Sequence, residues 1–180
     1  KDHPRSPRVA EAITNLGWYY RKQEQPEKAR EIYWQAIRDL GNDPEIRSVD
    51  DLFPALARLY KGPSESAEYL ALLDDLVSES SNQKKITLRM RLLHAQAQAL
   101  KKSDPTRSQA LLIDAAALAD VHEANPALLA DFGNALLASG QNKKGEEMLR
   151  DALRWNPRAM QKDRILAALG EMEMEQGNDK

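Results

Sequence analysis

Apolar residues recur along this chain at steps of three and four, and short polar segments carrying Gly or Pro interrupt them. The pattern predicts helices near 7–22, 26–40, 50–61, 65–79, 83–102, 105–122, 126–139, 142–155 and 159–176. Ser6-Pro7, Asp104-Pro105, Asn125-Pro126 and Asn156-Pro157 each read as an N-cap followed by proline in the first helical position. Proline suits that place because its fixed φ is helical and its missing N–H is not needed there. Gly41, Gly62, Gly140 and Gly177 stand where a helix would close on a left-handed residue. Pro54 falls inside the third segment, so that helix is expected to start close to it. Alternating runs long enough for strands are missing, and short polar turns between helices predict antiparallel neighbours. The ninth helix is left without a partner.

The helical faces carry more detail. In the first helix, Ile13, Leu16, Gly17 and Tyr20 share one face, while Thr14, Trp18, Arg21 and Lys22 share the next. The fifth helix has two apolar stripes: Ile86, Met90, Leu93, Ala97 and Leu100, then Leu88, Leu92, Ala95 and Ala99. Between them runs a polar stripe of Thr87, Arg91, His94, Gln98 and Lys101. A helix of that kind is buried on two sides and open on one.

The same order of residues returns along the chain. The first copy has Ile13, Leu16-Gly17 and Tyr20, then Ala29, Tyr33 and Ala36. A second has Phe53, Leu56-Ala57 and Tyr60, then Leu73 and Leu76; a later one has Leu129, Phe132-Gly133 and Leu136, then Gly145, Leu149, Ala152 and Pro157. The last begins at Leu169-Gly170. Taking Gly17, Ala57, Ala97, Gly133 and Gly170 as equivalent gives steps of 40, 40, 36 and 37 residues (57−17, 97−57, 133−97, 170−133). These residues resemble the tetratricopeptide repeat family, whose unit is roughly 34 residues long. The resemblance implies an all-α fold, a right-handed superhelical solenoid of antiparallel helix pairs with about four repeats and one terminal helix. It divides the chain into an extension at 1–6, repeats near 7–43, 44–82, 83–124 and 125–157, a terminal helix at 158–176 and a tail at 177–180. Small residues at the equivalent positions let neighbouring helices approach, and each unit covers the apolar face of the one before. On this reading Leu16→Asp uncouples the first unit.

Composition narrows the function. The net charge of −2 lacks the basic excess of a dedicated nucleic-acid binder. With no Cys, disulfides, zinc–thiolate sites and thiol nucleophiles are all excluded. His3, His94 and His122 do not fall at metal-ligand spacing, and no Gly-rich phosphate loop or strained nucleophile elbow is present. No enzyme, cofactor or metal is therefore expected. No apolar run approaches the ~18 residues of a membrane span, so insertion is not expected. Lys1-Asp2-His3-Pro4 has no apolar segment behind it, and the chain lacks an initiator Met. It reads as a soluble piece of a longer protein, with cytoplasm and periplasm both open.

In this family the first helix of each pair lines the concave surface, so the resemblance implies a protein- or peptide-binding groove there. The candidates are Trp18, Arg21 and Lys22 on the first helix, Arg58 and Lys61 on the third, Arg91, His94, Gln98 and Lys101 on the fifth, and Asn134 on the seventh. Arg pairs carboxylates through two hydrogen bonds and Lys adds point charge, so the first half of the groove is expected to take an acidic or C-terminal segment. Trp18 would cover an apolar side chain. Cations in the last turn also complement the helix dipole, which alone accounts for Arg21, Lys22, Lys61 and Lys101. Some family members clamp a carboxylate tail with paired Lys and Asn residues; here Ala130 stands where the Lys is expected, beside Asn134. Two other readings remain. One is a structural spacer or self-association module using Met160, Ile165, Leu166, Leu169 and Met172 of the last helix. The other is helical-repeat RNA binding, which the acidic pI of about 6.0 weighs against.

Overall fold

A computed structural model describes residues 7–120, 125–155 and 159–178, and within them the chain is an all-α helical repeat. Its elements are α1 (Pro7–Lys22), α2 (Pro26–Leu40), a 3-10 segment (Arg47–Asp51) running into α3 (Leu52–Ala57), α4 (Pro63–Asn82), α5 (Ile86–Leu100), α6 (Pro105–Leu118), α7 (Pro126–Ala138), α8 (Asn142–Arg154) and α9 (Ala159–Asn178).

Proline begins α1, α2, α4, α6 and α7. Two of the expected caps form. Asp104 Oδ1 accepts from the Arg107 N–H at 2.9 Å, and Asn125 Oδ1 from the Ala127 N–H at 3.0 Å. Ser6, Asn156 and Pro157 lie outside the described residues. The stops differ from expectation. Gly140 is left-handed at φ 80, but Gly41 is right-handed at φ −64 and Gly177 lies inside α9. Gly41 is small for a different reason: a Cβ there would stand 2.6 Å from Leu88 Cδ1. The left-handed closures of α1 and α4 fall instead to Glu24 (φ 57) and Lys84 (φ 55).

The third helix is shorter than expected. It starts two residues ahead of Pro54, which leaves the proline in the first turn, where its N–H is not missed. It ends at Ala57 because the next bonds tighten to three-residue turns, Leu59 N–H to Leu56 O and Tyr60 N–H to Ala57 O. Gly62, at φ 90, then redirects the chain into α4.

Helices α1 and α2, α5 and α6, and α7 and α8 form close pairs. The second unit departs from this plan, since α4 finds its close backbone neighbour in α5. Large rings span the wider gap. Tyr69 of α4 lies 5.2 Å from the Tyr60 ring and 5.9 Å from the Trp34 ring, and Trp34 Nε1 donates to Tyr60 Oη at 2.8 Å.

Two apolar cores result, with α5 between them. It sends Leu88, Leu92 and Ala95 into the core of α1–α4, and Met90 and Leu93 into that of α6–α9. The two stripes read in the sequence thus face two cores, although Ile86 and Ala99 are exposed. In α1 the buried line is Ala10, Ile13, Gly17 and Tyr20, with Gly17 beneath the Tyr33 ring. Leu16 falls one residue off that line and is 42% exposed, which corrects its assignment to the packing face.

Candidate functional site

The polar stripe of α5 meets α7 through His94 and Gln98. His94 Nε2 lies 2.9 Å from Asp131 Oδ2, and Gln98 Nε2 donates to the same oxygen at 2.8 Å. The His94 ring stands edge-on to Phe132 at 5.8 Å. Both side chains are thereby held against the α7 surface with their flanks open. Sequence reading missed Asp131. Its signal was the run Ala127, Asp131, Asn134, Ala138, spaced four, three and four residues apart on one face.

Around this link lie three adjoining clefts. The first, about 420 Å³, is floored by Phe53, Ala57, Tyr69, Ala95 and Leu128 and edged by Pro54, Asp51, His94, Gln98 and Ala99. The second, about 110 Å³, is formed by Ala127, Ala130, Asp131 and Asn134 of α7 with Arg164 of α9. The third, about 280 Å³, runs between Asn134, Leu137 and Ala138 of α7 and Ala168, Glu171 and Met172 of α9. Ala127 belongs to the first two and Asn134 to the last two, so the clefts form one face across α3, α5, α7 and α9. These are the first helices of the successive units. Ala99, read from sequence only as a packing position, and Leu128, which the sequence reading did not single out, are part of the recess.

Arg91 does not belong to that face. Its side chain is 2% exposed, with Nη1 donating to Gly41 O at 2.7 Å and Asp43 O at 3.1 Å, and Nη2 to Ile46 O at 3.1 Å. Its Nε lies 2.9 Å from Asp50 Oδ1. The loop between the first and second units leaves those carbonyls outside regular helix, and only a guanidinium has enough donors in one plane to collect them. Burial pushes the Asp50 carboxyl above its ordinary range, against the opposing pull of Arg91. The expectation that Arg91 offers its charge to a ligand is corrected accordingly.

The other basic candidates gather elsewhere. Arg21, Arg58 and Lys61 share a cleft with Arg30, Glu24, Glu27 and Glu65 at the turn ends of the first two units. There Arg30 donates to Glu65 Oε1 at 2.5 Å and to Leu59 O at 2.6 Å, with its guanidinium 4.2 Å from the Tyr60 ring centre. The hydrogen bond from Arg30 holds the Glu65 carboxyl below its ordinary range. Trp18 is 56% exposed on α1, with Lys22 Nζ 5.4 Å from its ring centre. Lys101 stands exposed at the C-cap of α5. The structure thus brings His94, Gln98 and Asn134 to the first-helix face, brings Arg21, Arg58 and Lys61 together in a separate cleft, and buries Arg91. That face carries Asp51, Asp131 and Glu171 against Arg164 and is not basic.

Among the described residues, no group of three metal-ligating side chains occurs and no helix is long and apolar enough to cross a membrane. His3 and His122 lie outside them.

Residues 9–40, which cover most of the first helix pair, match the family model of the tetratricopeptide repeat. No curated protein matches the sequence. A solved structure from Podosopora anserina, described as a kinesin light chain with nearly identical TPR-like repeats, is similar with a TM-score of 0.49 and 19% sequence identity. The match covers 96% of this chain and 92% of that one.

Proposed function

We propose that this chain is a non-catalytic scaffold that binds a protein or peptide segment along the face shared by α3, α5, α7 and α9. Tetratricopeptide repeats generally mediate protein–protein interaction, and the first helix pair matches that family. The observation that carries the reading is the continuity of three clefts through Ala127 and Asn134. An apolar side chain of the segment enters the recess over Phe53, Tyr69 and Leu128. Polar groups along the rim, Gln98, His94 and Asn134, meet its backbone. The segment's acidic residues, where it has them, pair with Arg21, Arg58 and Lys61 in that separate cleft rather than on the main face.

The test uses peptides selected from a random library on the whole chain. Their affinity is then measured by calorimetry for the wild type, for Ala99→Trp and for Arg58→Glu with Lys61→Glu. Ala99 is exposed at the rim, so tryptophan there fills the recess without entering a core. Binding is expected to fall about ten-fold or more, equivalent to ~1.4 kcal/mol, in Ala99→Trp. The charge-reversed variant is expected to weaken only the acidic peptides. Unchanged affinity in Ala99→Trp refutes the assignment of the groove.

A further inference from the structure

The described titratable side chains lining the three joined clefts are Asp50, Asp51, His94, Asp131, Arg164 and Glu171. Two of the acids are already offset by a cation. Asp50, buried at the base of the recess, meets Arg91, and Asp131 shares the middle cleft with Arg164. The other two are not. Asp51 and Glu171 are exposed and form no ion pair with any described residue.

Asp51 stands at the N-cap of α3, where an aspartate ordinarily accepts from a free N–H of the first turn, yet its side chain makes no such bond. It edges the recess over Phe53, Tyr69 and Leu128 instead. Beneath it, the Asp50 side chain is 7% exposed, and Arg91 meets its Oδ1. Asn125 also draws on this carboxylate but outside hydrogen-bond geometry, so Asp50 Oδ2 lines the recess without a donor. Arg91 thus neutralises one carboxylate of this adjacent pair and leaves the other. Glu171 holds the far end of the face, beside Leu137 and Met172. Each end therefore joins an uncompensated carboxylate to apolar surface.

We propose that the segment bound on this face is basic, with an apolar residue seated in the recess and Lys or Arg on either side of it, one pairing with Asp51 and another with Glu171. This rests on the peptide-binding reading and specifies the chemistry of its partner. Lys and Arg suit such ends because their stems cover apolar surface while their heads reach a carboxylate. An acidic segment would instead meet like charge at both ends, which selects against it. From α3 to α9 there are three helix-to-helix steps of about 8–10 Å, so an extended segment of about seven to nine residues reaches both acids.

The test takes peptides long enough to span the face, selected from a random library on the whole chain and measured by calorimetry. Those whose affinity drops in Ala99→Trp are the groove binders; if none drops, the groove reading falls and this proposal with it. Among groove binders, Lys and Arg should be enriched over the unselected library on both sides of an apolar residue. Their affinity should fall about three- to ten-fold in Asp51→Asn with Glu171→Gln, and by less at about 500 mM salt than at about 50 mM. Both residues are exposed and unbonded, so the melting temperature should stay that of the wild type. Asp51→Glu with Glu171→Asp keeps both charges and should keep the affinity. Groove binders that are neutral or acidic, or that are indifferent to the neutralised variant, would overturn the basic partner and leave the groove in place. So would an equal loss in the charge-keeping variant, which would assign the effect to shape.

Discussion

Arg91 Nε stands 2.9 Å from Asp50 Oδ1, and the pair is sealed from water with side chains 2% and 7% exposed. The same guanidinium ties down the carbonyls of Gly41, Asp43 and Ile46, so one residue of α5 holds the connection between the first two units. Removing it leaves a buried carboxylate without its cation and the Gly41 carbonyl without its donor, whereas Asp43 O and Ile46 O keep the backbone N–H groups of Ile46 and Val49. Arg91→Met is expected to cost about 3–5 kcal/mol in urea unfolding. Arg91→Lys should recover only part, because an ammonium with three donors cannot span four acceptors. Loss of partner binding in any Arg91 variant should therefore track unfolding, with a stable variant that binds normally as the contrary result.

Gly133 and Gly170 are equivalent in sequence and opposite in surroundings. Gly133→Ala drives a methyl into Leu149 and the backbone of α8, and should lower stability by about 1–3 kcal/mol. Gly170→Ala meets open space and should raise it by up to about 1 kcal/mol through helix propensity. Thermal melts compare the two directly, and equal shifts would refute the packing assigned to Gly133.

Lys84 closes α4 at φ 55, a conformation that costs an L-residue about 1–2 kcal/mol. Glycine removes that cost but enlarges the unfolded ensemble by roughly 0.5–1 kcal/mol. Lys84→Gly is thus expected to stabilise the chain by up to about 1.5 kcal/mol, the difference between the two. A melt that moves downward would mean the lysine side chain contributes more than its backbone strain.

Helix positions were largely legible because proline, capping residues and apolar spacing act locally. So was the division of α5 between two cores, since period alone sorts Leu88 and Leu92 from Met90 and Leu93. What was not legible depends on distant chain. Arg91 sits at regular spacing on a polar stripe, and nothing near it in sequence reveals that Gly41, Asp43 and Ile46 will bring their carbonyls to it. Leu16 was misplaced by one residue, about 100° of helix, which exchanges core for solvent. Gly41 closes α2 as read, but in a right-handed conformation, and its lack of a side chain admits Leu88. In the candidate site, His94, Gln98 and Asn134 were found by spacing, whereas the recess over Phe53 and Tyr69 exists only because α4 stands away from α3.

The groove is tested most directly by amide chemical-shift mapping of the isotope-labelled chain as a library-selected peptide is titrated in. Shifts are predicted at Ala95, Gln98, Ala99, Ala127, Asp131 and Asn134, spreading along α5 and α7. A titration that perturbs the outer faces of α2, α6 and α8 and leaves those six residues silent would contradict the account.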